Sequence, residues 1–348
     1  MRPVRPPGET RSPRRSLAPD RNSKVRLRTV ALWLLGGLIS FASAPLESQL
    51  GPSLIIRPWP EEPHWADSRE DIRIHNRGHT KGDDTSIGLF AWNSYSRVKF
   101  DRHNSDPDLA IGYRALTIDI DSDRPDLPGG LSDLAVVGVR KIGSVANDWT
   151  LSLLAGAGTA NENHYSNSDA IYGIAALHGS HTIDENRSIH AGLHYNGNRT
   201  FLPDVPLPYA MYQQRLNPDL SYQAGLPTNS VTWKPLETLT LDLVYTVPAN
   251  FVGRLAYDIY RGLSVFAQYD RELDAFYLNG REHHRLFYEI DRVAAGIRWL
   301  AKPWIDARAG VGYAFDQEFS TGFDIRDTDT VAELSDEAFF FFTVQGRF

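Results

Sequence analysis

A few residue groups have types and spacings that could do chemistry. Ser188 and His190 lie two apart in 188–196, where alternation puts both on one face of a strand. A serine beside a histidine can begin a nucleophile–base pair. That chemistry also needs a third group to orient the base, and no carboxylate partner can be picked out. His194 shares the same face as His190. Four residues along a strand span about 13 Å, too far for both rings to bind one metal. Asp119, Asp121 and Asp123 have the spacing that opens a calcium loop, but Arg124 and Gly130 stand where an EF-hand needs Gly and Glu. Asp324, Asp327 and Asp329 form a second acidic group, and His283-His284 lies beside Arg281 and Glu282. All of these read as solvated charged loops, with looser calcium binding at an acidic rim left open. No catalytic, cofactor-binding or metal residue is assigned, and no cofactor is expected.

The elements that would carry these residues are strands. From about residue 86 the chain alternates polar and apolar residues in segments of eight to twelve, separated by polar turns. In 238–246, Leu239, Leu241, Leu243 and Tyr245 share one face and leave Asp242 on the other. In 262–270, Leu263, Val265, Ala267 and Tyr269 oppose Ser264, Phe266, Gln268 and Asp270. In 304–315, Ile305, Ala307, Ala309, Val311, Tyr313 and Phe315 oppose Asp306, Arg308, Gly310 and Gly312. At the end of the chain, Phe340, Phe342, Val344 and Phe348 oppose Thr343, Gln345 and Arg347, after Phe339 and Phe341. Less regular segments lie at 86–100, 109–121, 131–142, 149–158, 170–178, 229–233, 251–259 and 284–299.

A strand that is apolar outward, polar inward and aromatic at its end resembles the last strand of bacterial outer-membrane β-barrels. In that class the terminal strand is the recognition signal for the barrel-insertion machinery. The expected fold is therefore all-β: an antiparallel up-and-down transmembrane β-barrel of about 12 strands, within a range of 10 to 14. Short junctions such as 260–262 and 301–303 contrast with long polar ones at 101–108, 159–169, 197–228, 271–283 and 316–336. Trp92, Tyr95, Trp149, Tyr195, Trp233, Tyr245, Tyr257, Tyr269, Trp299, Trp304 and Tyr313 would suit two interfacial girdles.

The start of the chain reads as an export leader. Lys24, Arg26 and Arg28 precede an apolar run from Val30 to Phe41, then Ala42-Ser43-Ala44, so cleavage is expected near Ala42 or Ala44. Residues 1–44 form the leader with its basic extension, 45–85 a mostly irregular periplasmic lead-in, and 86–348 the barrel. The leader holds nine basic and two acidic residues, leaving 27 against 41 and a net charge of −14. That balance excludes a nucleic-acid partner, which would need a basic surface. There is no cysteine, hence no disulfide framework or thiolate metal site. No uncharged run after residue 46 is long enough for a spanning helix, so a membrane form must be a barrel.

Residues 221–270 also resemble an uncharacterised family of outer-membrane barrel domains from planctomycete and related genomes. The likeness rests on Ser221-Tyr222-Gln223-Ala224-Gly225-Leu226-Pro227, Val231-Thr232-Trp233-Lys234-Pro235, Leu239 to Tyr245, Pro248-Ala249, Tyr257 and Leu263 to Ala267. It implies fold and location and brings no chemistry with it.

The reading that follows is a passive pore, a small-solute transporter or a structural barrel, and not an enzyme. Its partners would be outer-membrane lipid and the insertion machinery, with oligomeric state open. His190, His194, Asp242, Gln268, Asp270, Asp306, Arg308, Gln345 and Arg347 are the candidate lumen-facing residues. A soluble periplasmic β-protein that binds a ligand or partner, and a lipid-modifying barrel enzyme using Ser188 and His190, are the alternatives.

Overall fold

A computed structural model describes residues 64–101, 107–145, 148–162, 170–279 and 284–348. The expected leader, and residues 45–63 of the expected lead-in, lie outside the described residues. Among those described there are 18 strands. The first seven are β1 (Ala66–His75), β2 (Gly78–His79), β3 (Ser86–Lys99), β4 (Leu109–Ser122), β5 (Gly130–Val145), β6 (Trp149–Glu162) and β7 (Ile171–Asp184). Next come β8 (Arg187–Asn196), β9 (Leu207–Asn217), β10 (Leu220–Leu226), β11 (Thr228–Leu236), β12 (Leu239–Thr246) and β13 (Asn250–Tyr260). The last five are β14 (Leu263–Tyr277), β15 (Arg285–Lys302), β16 (Ile305–Gly322), β17 (Thr328–Glu333) and β18 (Glu337–Arg347).

Each long strand pairs antiparallel with its neighbours, and β1 pairs with both β3 and β18. The sheet therefore closes on itself as a barrel of 16 strands and leaves no edge at the seam. The short β2 and β17 continue the wall above that seam, joined by a bridge between Thr80 and Leu334. The base is the end that holds Ala66 and Arg347. Its turns are mostly two or three residues, and most connections at the opposite rim are longer.

Sixteen strands replace the expected twelve; thirteen of them match the alternating segments named from the sequence, and the three that match none are β1, β9 and β10. β1 falls inside the span expected to be an irregular lead-in, so the barrel begins at Ala66 and not at 86. Its inward residues are Asp67, Arg69, Asp71, Arg73 and His75, so one face carries only ionisable groups and has no apolar stripe. β9 and β10 occupy much of 197–228, expected to be a long connection. Their inward residues include Gln213, Ser221 and Gln223, and Pro208 interrupts the pattern of β9.

The outer face is apolar around the ring. Leu109, Ile111, Val136, Leu153, Leu177, Leu193, Leu255, Val265, Ile297, Val311, Phe340 and Phe342 all point outward and are exposed. Trp233, Tyr257 and Trp299 sit on this face toward the base, while Tyr245 and Tyr313 sit higher. Tyr95 departs from the expected girdle. It pairs with Arg69 and Arg114 at inward positions, because β3 enters the ring opposite β1 with that parity.

The barrel is not a uniform tube. β10, β11 and β12 have seven, nine and eight residues, against 14 to 18 in β3–β7 and β14–β16. Above the end of β13, β14 continues without that neighbour and meets β6 instead, in a parallel bridge between Tyr277 and Asn161. The ring thus contracts: the upper level runs from β14 through the seam to β6, and the lower level includes all 16 strands. The contracted level is filled. Ile87, Leu89, Leu116, Ile118 and Leu131 pack from β3–β5 against Phe276, Leu286, Ile290, Phe319 and Phe339. Inward glycines make room for large rings: a Cβ on Gly158 would lie 2.4 Å from the Tyr172 ring, and one on Gly312 would lie 2.3 Å from Phe339.

Candidate functional site

Below the apolar plug, the barrel interior is a layer of ion pairs. Glu272 accepts from Arg73 Nη1 at 2.9 Å and also from Arg292. Arg292 Nε donates to Asp270 at 2.6 Å. Across the contracted ring, Arg114 bridges Asp133 on β5 (3.1 Å) and Asp274 on β14 (2.9 Å). Tyr172 adds a 2.6 Å hydrogen bond to Asp133. These groups are buried, so each charge depends on its partner. Removing one member would strand the other away from water.

Nearer the base, Asp306 accepts from Arg298 Nε and Arg308 Nη2, each at 2.9 Å. Arg308 Nη2 also reaches Gln345 Oε1 at 3.3 Å. Asp71 takes hydrogen bonds from Arg69 (2.8 Å) and from Thr343. Arg254 differs from the other arginines of this layer. Its Nε and Nη2 both donate to the neutral Gln268 Oε1, at 2.9 and 2.6 Å. Asp242 lies opposite it in the register, but accepts from Thr232 at 2.9 Å and is not at ion-pair distance from Arg254.

The register puts His190 and His194 on one face of β8, Gln268 and Asp270 on one face of β14, Asp306 and Arg308 on one face of β16, and Gln345 and Arg347 on one face of β18. It brings Gln268, Asp270, Asp306, Arg308 and Gln345 into the one charged layer, with Gln268 Nε2 donating to Asp270 at 2.8 Å. Asp242 is a neighbour of that layer, and Arg347 lies at the base opposite Asp67. His190 and His194 stand apart, on β8. Phe340 and Phe342 are exposed on the outer face, with Val344 in the same row. Sequence reasoning missed Arg69, Arg73, Arg254, Glu272 and Arg292. Arg254 had a readable cue, being an arginine at alternate spacing from Val252 and Ala256. Arg69 and Arg73 lie on the unrecognised β1.

Ser188 and His190 do touch, with Oγ to Nε2 at 3.1 Å. The chain continues from His190 Nδ1 to His178 Nε2 (3.3 Å), and from His178 Nδ1 to the Tyr209 hydroxyl (2.5 Å). No carboxylate belongs to this row. His194 is separate, beside Arg199, which donates to the His194 carbonyl at 2.8 Å.

Two of the acidic residues of the rim are held by protein partners. Asp121 binds Arg77, and Asp324 accepts from Arg326 Nη2 (2.8 Å) and from the Leu202 N–H (2.7 Å). Burial works against the Asp324 charge, but hydrogen bonds from Arg326 and Leu202 outweigh it and hold the carboxyl below its ordinary range. Through Leu202, Asp324 ties the 197–206 connection to the segment after β16. Asn198 Nδ2 (3.0 Å, to Ala275 O) and Tyr277 OH (3.0 Å, to Gly197 O) tie it to β14.

No family model matches the chain, and no curated protein matches it. Among solved structures, the Pseudomonas putida toluene transporter TodX is 7% identical, over 89% of this chain and 96% of that one, with a TM-score of 0.37. An outer membrane channel from Pseudomonas putida F1 is 8% identical over 87% and 100%, with a TM-score of 0.35. The outer membrane protease OmpT of Escherichia coli is 9% identical over 84% and 99%, with a TM-score of 0.21. Superpositions this loose transfer no ligand and no residue role.

Proposed function

We propose that this chain is a bacterial outer-membrane β-barrel acting as a passive pore for small polar solutes. The observation that carries this reading is the closed ring of 16 strands with an apolar exterior and a charged, hydrogen-bonded interior. A closed sheet facing apolar side chains outward satisfies every backbone group without water, as a bilayer requires. Export through the expected leader, insertion guided by Phe340, Phe342, Val344 and Phe348, and kinship with the planctomycete-type family belong to the same proposal.

The route for solute is the wide lower level. Inward residues of β8 and β10–β12, such as Ser188, His190, Gln223, Ser230, Thr232 and Asp242, are half-exposed, unlike the buried side chains of the contracted level. With the upper level filled, the route passes beside the low wall, and a modest conductance is expected for a ring of this size. Fractionation, heat-dependent gel mobility and planar-bilayer recordings test the proposal together. Recovery in the aqueous periplasm, or a folded membrane form that passes no current, would overturn the pore.

The hydrogen-bonded Ser188–His190–His178–Tyr209 row supports a second reading, an esterase-like barrel. It supplies a nucleophile and a base but no acid to stabilise the imidazolium. Ester hydrolysis by the purified barrel that is abolished by Ser188→Ala would favour it over the pore.

A further inference from the structure

The arginines around the charged layer are not matched alike. Arg69, Arg73, Arg292, Arg298 and Arg308 each contact a carboxylate. Arg254 has none at ion-pair distance among the described residues, and its guanidinium lies within electrostatic range of Arg308, Arg69 and Arg298, against which Asp242 is the one opposing charge. Beside these groups is a cavity of about 30 Å3 lined by Arg69, Arg73, Arg254, Arg292 and Arg308 and by the carboxylates of Asp71 and Asp270. The Phe266 ring underlies Arg254 at 5.8 Å and leaves the donor edge of the guanidinium facing other groups. A second, independent sign lies across the cavity. Arg308 is 4% exposed, yet its Nη1 is buried without any acceptor.

An unpaired buried guanidinium edge is costly to leave unmade. Five guanidiniums against two carboxylates line one space, and the Arg308 Nη1 edge has no acceptor, so the excess of cations makes a site for negative charge. The volume admits a single halide or the two-oxygen end of a carboxylate, and excludes a phosphate ester with its hydration shell. Planar donor forks suit such a ligand. We propose that Arg254 and Arg308 hold a small monovalent anion, a halide or a solute carboxylate, inside the barrel. This deepens the pore reading, on which its role in transport rests, by naming the class of solute selected. Gln268 sets the site's charge: as a neutral acceptor it positions Arg254 without neutralising it.

The test is the 35Cl linewidth of the full chain folded in detergent, titrated with chloride and then with acetate as competitor. Wild type should broaden chloride beyond the bulk value, and acetate should reverse this. Gln268→Glu gives Arg254 its own carboxylate without removing any cation, and should weaken chloride binding about tenfold or more, as should Arg254→Gln. Arg254→Lys should retain binding within a few-fold, and Lys234→Gln, far from the cavity, should match wild type. Heat-dependent gel mobility reports whether each variant has folded. No excess broadening in wild type overturns the site, as does a folded Gln268→Glu that binds chloride like wild type. The readout needs no conductance, so an anion-binding barrel that passes no current would sink the pore and keep the site. Current without chloride binding would do the reverse.

Discussion

The contracted level and the low wall use the same strand grammar for opposite ends. Around Leu116, Phe276 and Phe319 the inward side chains meet across the ring and exclude water, so a charge such as that of Arg114 survives only because Asp133 and Asp274 face it. Along β10–β12 most inward side chains are Ser, Thr, Gln and Asp, with none facing them closely enough to bury them. One side of the barrel acts as a core and the other as a channel wall. A barrel therefore need not be plugged by a separate segment. Letting some strands outgrow their neighbours lets the wall close on itself.

That contrast can be broken from either side. The largest effect is expected from Arg114→Ala, which leaves Asp133 and Asp274 buried without their cation. It should cost about 3–5 kcal/mol, read as a fall in the temperature at which the compact gel form is lost. Leu116→Ala in the plug should cost about 2–5 kcal/mol by the same measure and open a leak through the upper level. Gly312→Val drives a side chain into Phe339 and should cost about 1–3 kcal/mol. If Gly312→Val is neutral, the upper packing is looser than described.

Acid probes the cap over β14. The Asp324 carboxyl is held below its ordinary range, so its contribution is present above the unfolded value of about 3.9 and is lost as pH falls through the lower folded value. Protection of the Leu202 N–H, taken relative to its intrinsic exchange rate, should hold from neutrality to about pH 4 and fall as pH drops through the lower folded value. Arg326 is more than half exposed, so the effect on stability should stay near 1 kcal/mol or less. The smallest effect is expected from Thr232→Val on the low wall, within about 0.5 kcal/mol. If it destabilises the barrel as strongly as Leu116→Ala, the two regions are not distinct.

How much of this was readable depends on what each face touches. β12 and β18 from Phe342 onward largely separate apolar from polar by parity, because one face meets apolar surroundings and the other an ionic interior. β1 hides that pattern: Arg69, Asp71 and Arg73 satisfy one another and the opposite wall, so no apolar periodicity remains. The His178 and Tyr209 ends of the Ser188 row come from β7 and β9, and only register brings them together. The β6–β14 bridge had no local sign at all. It exists because β13 stops at Tyr260 below and Asn250 above while β14 runs on to Tyr277. Strand length is written in the sequence, but which strand lacks a neighbour at a given height is a property of the whole ring.

The seam between β1 and β18 has a consequence for assembly. Most neighbours in the wall are joined by a hairpin, whereas Thr343 and Asp71 meet across 272 residues of chain. Every other antiparallel ladder can form locally while the chain is still an open ribbon with two sticky borders. Only the seam converts that ribbon into a ring, so it is the step with the greatest loop-closure cost and the one that removes both borders together. A lesion there, such as Thr343→Pro, should leave hairpins intact yet trap the protein as a ribbon. It would then seek a border on another copy of itself, a fate that a lesion of equal size in any mid-wall hairpin would not produce.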